Sequence, residues 1–319
     1  MFGHQYTATP APFVEMKQDE DDVEKLPDSY TSLSELCTNP VATKLFQTMA
    51  MKKTNVCLSA DVDTVEKLLD LIEKVGPSIA VLKIHTNILK DFKPKIFFPD
   101  DATQDKLRAA ADRHGILIFE DGKFCDIGST VVSQVEGGLY RFAEWVDVIN
   151  AHGVSGSFII DAVAQVCKNL EKAGNKRDLG LVMVSEMSSD GSLAIGQYTT
   201  GVLEMSALPK AANLVMGLVT QNSQEQDHEF NKNHPHIVNM TPGVQINGAG
   251  DGLGQNYNDP SSVIKKGTHL MIVGRGIIAA KDPAKAAEEY RAAGQIAYQE
   301  VVRAKAEVRK DALNISRKY

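Results

Sequence analysis

The chain has 319 residues, 24% charged and 43% hydrophobic, which excludes wholesale disorder, collagen-like repeats and fibrous coiled coils. Its 34 Lys and Arg against 41 Asp and Glu leave a net charge of −7, a poor match to nucleic acid or an anionic membrane. No apolar run approaches the roughly 18 residues of a membrane helix, and the N-terminus lacks the basic-then-apolar pattern of a secretory signal.

Residues 1–30 read as an acidic, unstructured tail, broken by Pro10 and Pro12 and charged by Asp19, Glu20, Asp21, Asp22 and Glu24. From Ser32 the pattern turns amphipathic, with Leu33, Leu36, Val41, Leu45 and Met49 predicting one or two short helices. Short Val-, Ile- and Leu-rich runs then recur: NVCLSAD, IAVLKIH, ILIFED, VDVINAHG, GLVMVSE, LVMGLVTQ, IVNMTPG and HLMIVGRG. Such continuous runs suit parallel strands buried on both faces. Helix-period segments separate them. In one, Val65, Leu68, Leu69 and Ile72 share a face, and Gly76 and Pro77 follow as a stop. Others start near Ala102, Thr130, Gly156, Val202 and Pro260, and a long one starts at Asp282. Eight strands at about 30-residue spacing predict an α/β fold, a single-domain (β/α)8 TIM barrel over residues 31–305 with a basic extension at 306–319. An open doubly wound sheet is the alternative, but Asp61-Val62-Asp63-Thr64 after the first run carries no glycine fingerprint. Cys37, Cys57, Cys125 and Cys167 form no C-x-x-C pair and read as reduced, buried thiols of a cytoplasmic protein.

In a barrel, function sits at the C-terminal ends of the strands. Those ends carry Asp61, Lys83 with His85, Asp121 with Lys123, Asn150 with His152, Glu186 with Ser188, Gln221, Thr241-Pro242-Gly243 and Gly274-Arg275-Gly276. A strand must end in polar residues, which explains Asn150 and Gln221. It explains less well two lysines and two aspartates at one mouth. Strand alternation places Asp121 and Lys123 on one face and Gly122 on the other. Asp126 fits equally a helix N-cap and a site role. An alternating Lys/Asp array keeps its members charged and supplies a proton donor in a preorganised field. Arg275 can fork onto phosphate, and its flanking glycines let the backbone approach a ligand. The glycine-rich stretch before the eighth run reads as a phosphate-gripping lid with Gln255 and Tyr257 as its fingers. His234 and His236 read as solvated loop histidines, not a metal pair.

Taken together, VLKIH at 81–85, FEDGKFCDIGST at 119–130, NAHG at 150–153, EMSSDGSLA at 186–194, MTPGV at 240–244, GDGLGQNY at 250–257 and IVGRG at 272–276 resemble the orotidine 5′-monophosphate decarboxylases, in their fungal, monofunctional form. The resemblance implies decarboxylation of orotidine 5′-monophosphate (OMP) to uridine 5′-monophosphate (UMP), the last step of de novo pyrimidine nucleotide synthesis. It implies no cofactor and no metal. Lys83, Asp121, Lys123 and Asp126 would form the catalytic tetrad, with Lys123 delivering the proton to C6. Asp61 would hold the ribose, Ser188 the pyrimidine edge, and Gln255, Tyr257 and Arg275, with backbone amides near Gly274 and Gly276, the phosphate; Pro242 would be a further substrate-binding residue, and His85 would position its neighbours. A homodimer would share its sites, Asp126 and Thr130 reaching the partner's pocket. Gly122 departs from the Arg usual in the family. Two rivals are a nucleotide-binding paralogue without catalysis and a metal-dependent sugar-phosphate decarboxylase. The second needs carboxylate ligands where this chain has Lys83, Ile84 and His85.

Overall fold

The computed structural model describes residues 20–221, 225–246 and 258–316. Three helices lead in, α1 (Glu20–Val23), α2 (Tyr30–Leu36) and α3 (Pro40–Lys52). Asn39 starts α3 by accepting hydrogen bonds from Val41 and Ala42 N–H at 2.8 and 3.1 Å, with Pro40 in the first turn. Strands and helices then alternate: β1 (Val56–Ser59), α4 (Val65–Val75), β2 (Val81–Ile84), α5 (Thr103–His114), β3 (Leu117–Phe124), α6 (Gly128–Glu136), β4 (Val148–His152) and α7 (Phe158–Lys172). The second half follows with β5 (Gly180–Val184), α8 (Gln197–Ser206), β6 (Val215–Val219), α9 (Glu225–Asn233), β7 (Val238–Pro242), α10 (Pro260–Lys265), β8 (Leu270–Val273), α11 (Arg275–Ile278) and α12 (Pro283–Ser316).

All eight apolar runs are strands. They pair in parallel in chain order, and β8 closes on β1 where Ile272 meets Cys57, so the sheet is a closed barrel and not an open one. Most strand residues are buried because one face points into the barrel and the other lies under helices. At the N-terminal ends of β3 and β4, buried Asp147 accepts from Ile118 N–H at 2.8 Å and pairs with Arg108 at 2.6 Å and Arg177 at 2.9 Å. On α4 the buried face includes Leu71, while Leu69 is only half-buried.

Three differences from the sequence expectations have local causes. Helix α9 was not expected, because EQDHEFNKN carries a single large apolar residue, Phe230, and no apolar period. Residues 20–30 pack on the barrel: Val23 is buried and Tyr30 stacks on Tyr298 of α12, with centroids 3.9 Å apart. Tyr30 N–H donates to the Tyr298 hydroxyl at 2.8 Å, and that hydroxyl donates to Glu24 at 2.6 Å, so acidic composition hides two anchoring residues. The last helix runs unbroken through residue 305 to Ser316. Of the thiols, Cys57 is buried, Cys37 and Cys167 are half-buried and Cys125 is exposed; none is in a disulfide.

Candidate active site

A cavity of about 270 Å³ opens at the C-terminal ends of the strands. Its two halves differ. Strands β1 to β4 contribute Ser59, Asp61, Lys83, Asp121, Lys123 and Asn150, with Phe119 among them; from β5 onward come Val184, Met187, Ser188, Val219, Pro242, Val244, Ile272 and the Gly274–Gly276 turn with Arg275. A charged wall facing an apolar one suits a flat, polar-edged ring.

Asp121 is the centre of the charged wall. Its Oδ2 accepts from Lys83 Nζ at 2.5 Å and its Oδ1 from Lys123 Nζ at 2.6 Å. Burial pushes the Asp121 carboxyl up, but Lys83 and Lys123 outweigh burial and hold it well below the usual carboxylate range. Asp61, half exposed, accepts from Ser59 Oγ at 3.1 Å and stands 3.9 Å from Lys83 Nζ. His85 Nε2 lies 3.2 Å from Lys83 Nζ and 3.3 Å from Asp121. Burial, then the Lys83 charge, push its imidazole down, so near neutral pH it is an uncharged neighbour of the array. His152 is lowered likewise by burial, then by Lys123, and its Nδ1 is 3.0 Å from the Tyr198 hydroxyl.

Asp121 and Lys123 meet as expected, but simple alternation is not the reason. The register of β3 on β4 shifts between Glu120 and Phe124, and Lys123 takes φ +47°, the left-handed region. Gly122 is exposed and does not line the cavity; a Cβ there would meet the Phe124 ring edge at 3.0 Å. On the opposite side of β3, buried Glu120 accepts from Thr86 N–H at 3.1 Å and from the Thr86 hydroxyl. Burial pushes that carboxyl up to about 7 even though the Thr86 donors favour its charged form.

The cavity is lined by Asp61, Lys83, Asp121, Lys123, Ser188, Pro242, Gly274 and Arg275, all selected from sequence. His85 touches the array from behind, and Arg275 is exposed at the rim. Asp126 and Thr130 do not line it. Asp126 is exposed and, among the described residues, accepts its neighbour's Ile127 N–H at 2.7 Å, and the N-cap position of α6 is Ile127, so Asp126 is not its cap. Gln255 and Tyr257 lie outside the described residues. Gly276 has a packing reason to be glycine: a Cβ would sit 2.1 Å from the Tyr290 hydroxyl of α12. Gly243, at φ +76°, turns the chain out of β7 beside the cavity. Glu186, read at a strand end, is buried and accepts from Gln221 N–H at 2.6 Å, bracing β5 on β6. Among the described residues no three His, Cys, Asp or Glu side chains gather as metal ligands, and His234 and His236 are half-buried with ring centroids 6.0 Å apart. Sequence reasoning passed over Ser59 and Asn150. The first is a small residue inside an apolar run, and the second has an ordinary explanation as a polar strand end.

The closed barrel and the charged wall at the C-terminal ends of its strands define an enzyme of the TIM-barrel class. The comparisons are specific: the chain belongs to the orotidine 5′-phosphate decarboxylase / HUMPS family, whose model matches residues 54–290. It is 41% identical over 280 residues to the orotidine 5′-phosphate decarboxylase of Komagataella pastoris, covering 86% of this chain and 99% of that one. The orotidine 5′-phosphate decarboxylase of Aspergillus awamori is 42% identical, covering 85% and 95%. Among solved structures, orotidine 5′-monophosphate decarboxylase from Methanocaldococcus jannaschii complexed with the inhibitor BMP matches with TM-score 0.52 and 21% identity, over 75% of this chain and 97% of that one. That last likeness is one of fold.

Proposed function

We propose that the chain decarboxylates orotidine 5′-monophosphate to uridine 5′-monophosphate, the closing step of de novo pyrimidine nucleotide synthesis, without a cofactor. One observation carries the reading: Lys83 and Lys123 bracket a buried, ionised Asp121 at 2.5 and 2.6 Å on one wall of the cavity. Loss of CO2 breaks the C6–carboxylate bond and leaves its electron pair on C6, in the plane of the ring. Lys123 Nζ, directed by Asp121, stabilises that charge and then gives C6 its proton; solvent restores the proton to the amine. Such preorganised charge is usually the largest catalytic term. Asp61 takes ribose hydroxyls, Ser188 the pyrimidine edge, and Arg275 with the backbone amides near Gly274 and Gly276 the phosphate, while Pro242 lines the substrate cavity. Phosphate binding far from C6 supplies energy that is used at C6.

The chain acts as a homodimer in this reading, in the cytoplasm, with residues 31–305 as the catalytic unit between its two extensions. Next to Asp126 in the chain, Ile127 is exposed, and Val154, Phe158, Leu193 and Ile195 are exposed as well, all at least 60%. They follow β3, β4 and β5, and Gly128 lies against the Phe158 backbone. A face of this kind marks an interface. A second copy covering it brings Asp126 and Thr130 toward a pocket that neither lines in its own chain.

The test is loss of orotate absorbance on adding OMP, with and without a chelator. Turnover that survives the chelator supports the reading. OMP turnover that the chelator abolishes contradicts the cofactor-free mechanism, chelator-sensitive turnover of a sugar phosphate with none of OMP belongs to the metal-dependent rival, and OMP or UMP binding without turnover belongs to the paralogue.

A further inference from the structure

Strand β3 is in register with β4 at Glu120–Ile149 and again at Phe124–Ala151. Between those pairs β3 places Asp121, Gly122 and Lys123 opposite a single residue, Asn150. A bulge of this size takes backbone groups out of the ladder. It also contains Lys123 at φ +47°, a conformation that costs a residue with a Cβ and persists only where its surroundings enforce it.

Asn150 fills the gap. It is 1% exposed. Its Oδ1 accepts Lys123 N–H at 2.7 Å, and its Nδ2 donates to Asp121 Oδ1 at 2.7 Å. The amide orientation is fixed by its partners: the flipped form would set N–H against N–H at Lys123 and oxygen against carboxylate at Asp121. One side chain therefore takes the place of the missing ladder bond and also aims the oxygen that receives Lys123 Nζ at 2.6 Å.

We propose that Asn150 is a positioning residue for the decarboxylation: it locks Lys123 into its left-handed turn and orients Asp121, so that the ammonium is held at the reacting carbon. This rests on the function proposed above. An amide is the side chain that meets the need. Asn150→Asp loses the donor and adds a negative charge beside Asp121. Asn150→Ala leaves the Lys123 N–H and an Asp121 oxygen without their partner. Asn150→Ser is small and polar, a milder change that keeps a polar group at the site.

The experiment compares the parent with Asn150→Ala, Asn150→Asp and Asn150→Ser in kcat, KM, UMP affinity, and exchange of the UMP C6 proton with deuterated solvent. Exchange uses the same lysine at the same carbon without CO2 release, so it reads proton positioning directly. In Asn150→Ala, kcat and exchange should fall together by about 100-fold, the cost of misplacing a reacting group by an ångström. KM and UMP affinity should stay within about three-fold, because the ribose and phosphate contacts lie on other strands. Should Asn150→Ala not fold, Asn150→Ser gives the same split with a smaller loss. Folded variants whose kcat and exchange match the parent overturn the proposal, as does an equal loss of kcat and UMP affinity, which marks Asn150 as mere scaffolding. A parent that fails to decarboxylate OMP removes the functional reading itself, and this inference with it.

Discussion

At the scale of single residues the array makes two sharp expectations. Lys123 is the array member whose side chain is partly open to the cavity, at 36% exposed against 7% for Lys83. Lys123→Ala should therefore remove at least about 100-fold in kcat, the usual worth of a positioned proton donor, while UMP still binds within a few-fold. Near-parental turnover would assign the proton elsewhere. Arg275 stands at the rim between Gly274 and Gly276. Arg275→Ala should cost about 2–4 kcal/mol in kcat/KM on OMP and little on orotidine, which has no phosphate to lose. Equal losses on both substrates would move Arg275 away from the phosphate. The charged members of this site are legible in sequence because Lys and Asp are poor strand-end fillers and stand out. Asn150 is not, since its importance comes from facing three residues of β3 at once, and that count exists only after the strands pair. The left-handed turn at Lys123 is hidden for the same reason: lysine carries no mark of positive φ.

Elements are where the sequence is most readable. Eight continuous apolar runs become eight strands because burial on both faces leaves the same trace in every one. Helix α9 escapes because a polar nonapeptide with one Phe has no period to detect. Strand β3 runs three residues past its apolar run, to Phe124, held there by partners on β4. The contact between β3 and the turn after β2 sets a pH dependence. Glu120 is buried with its carboxyl pushed up to about 7, against an unfolded value of about 4.3. The folded chain then holds the extra proton between those values, so its stability falls as pH rises through that window. The loss is at most about 4 kcal/mol, taking about 1.4 kcal/mol for each pH unit of separation. Glu120→Gln keeps an acceptor for Thr86 and cannot ionise, so it should flatten the profile. Urea unfolding of both proteins at about pH 5 and about pH 8 measures this through the linked proton. Parallel profiles would mean that Glu120 is charged throughout.

For the whole molecule the question is whether one chain makes a complete site. A single barrel carries Lys83, Asp121 and Lys123 into its own cavity but leaves Asp126 outside, exposed and, among the described residues, bonded to Ile127 N–H. The fold gives the reason: the chain turns from β3 into α6 just there, and Asp126 and the adjacent Ile127 are both exposed. A two-fold dimer through that surface makes the exchange reciprocal, each site taking Lys123 from one chain and Asp126 from the other. Lys123→Ala and Asp126→Ala should then each be inactive alone and active when mixed. In a mixed dimer one site receives both lesions and the other receives neither. Random exchange makes about half the dimers mixed, and half of their sites are intact, so roughly a quarter of parental activity should return. Native mass spectrometry establishes that exchange has occurred, and the OMP assay reads the recovery. If exchange is complete and the mixture stays as inactive as its components, Asp126 acts in its own subunit. The apolar face would then join two self-sufficient barrels.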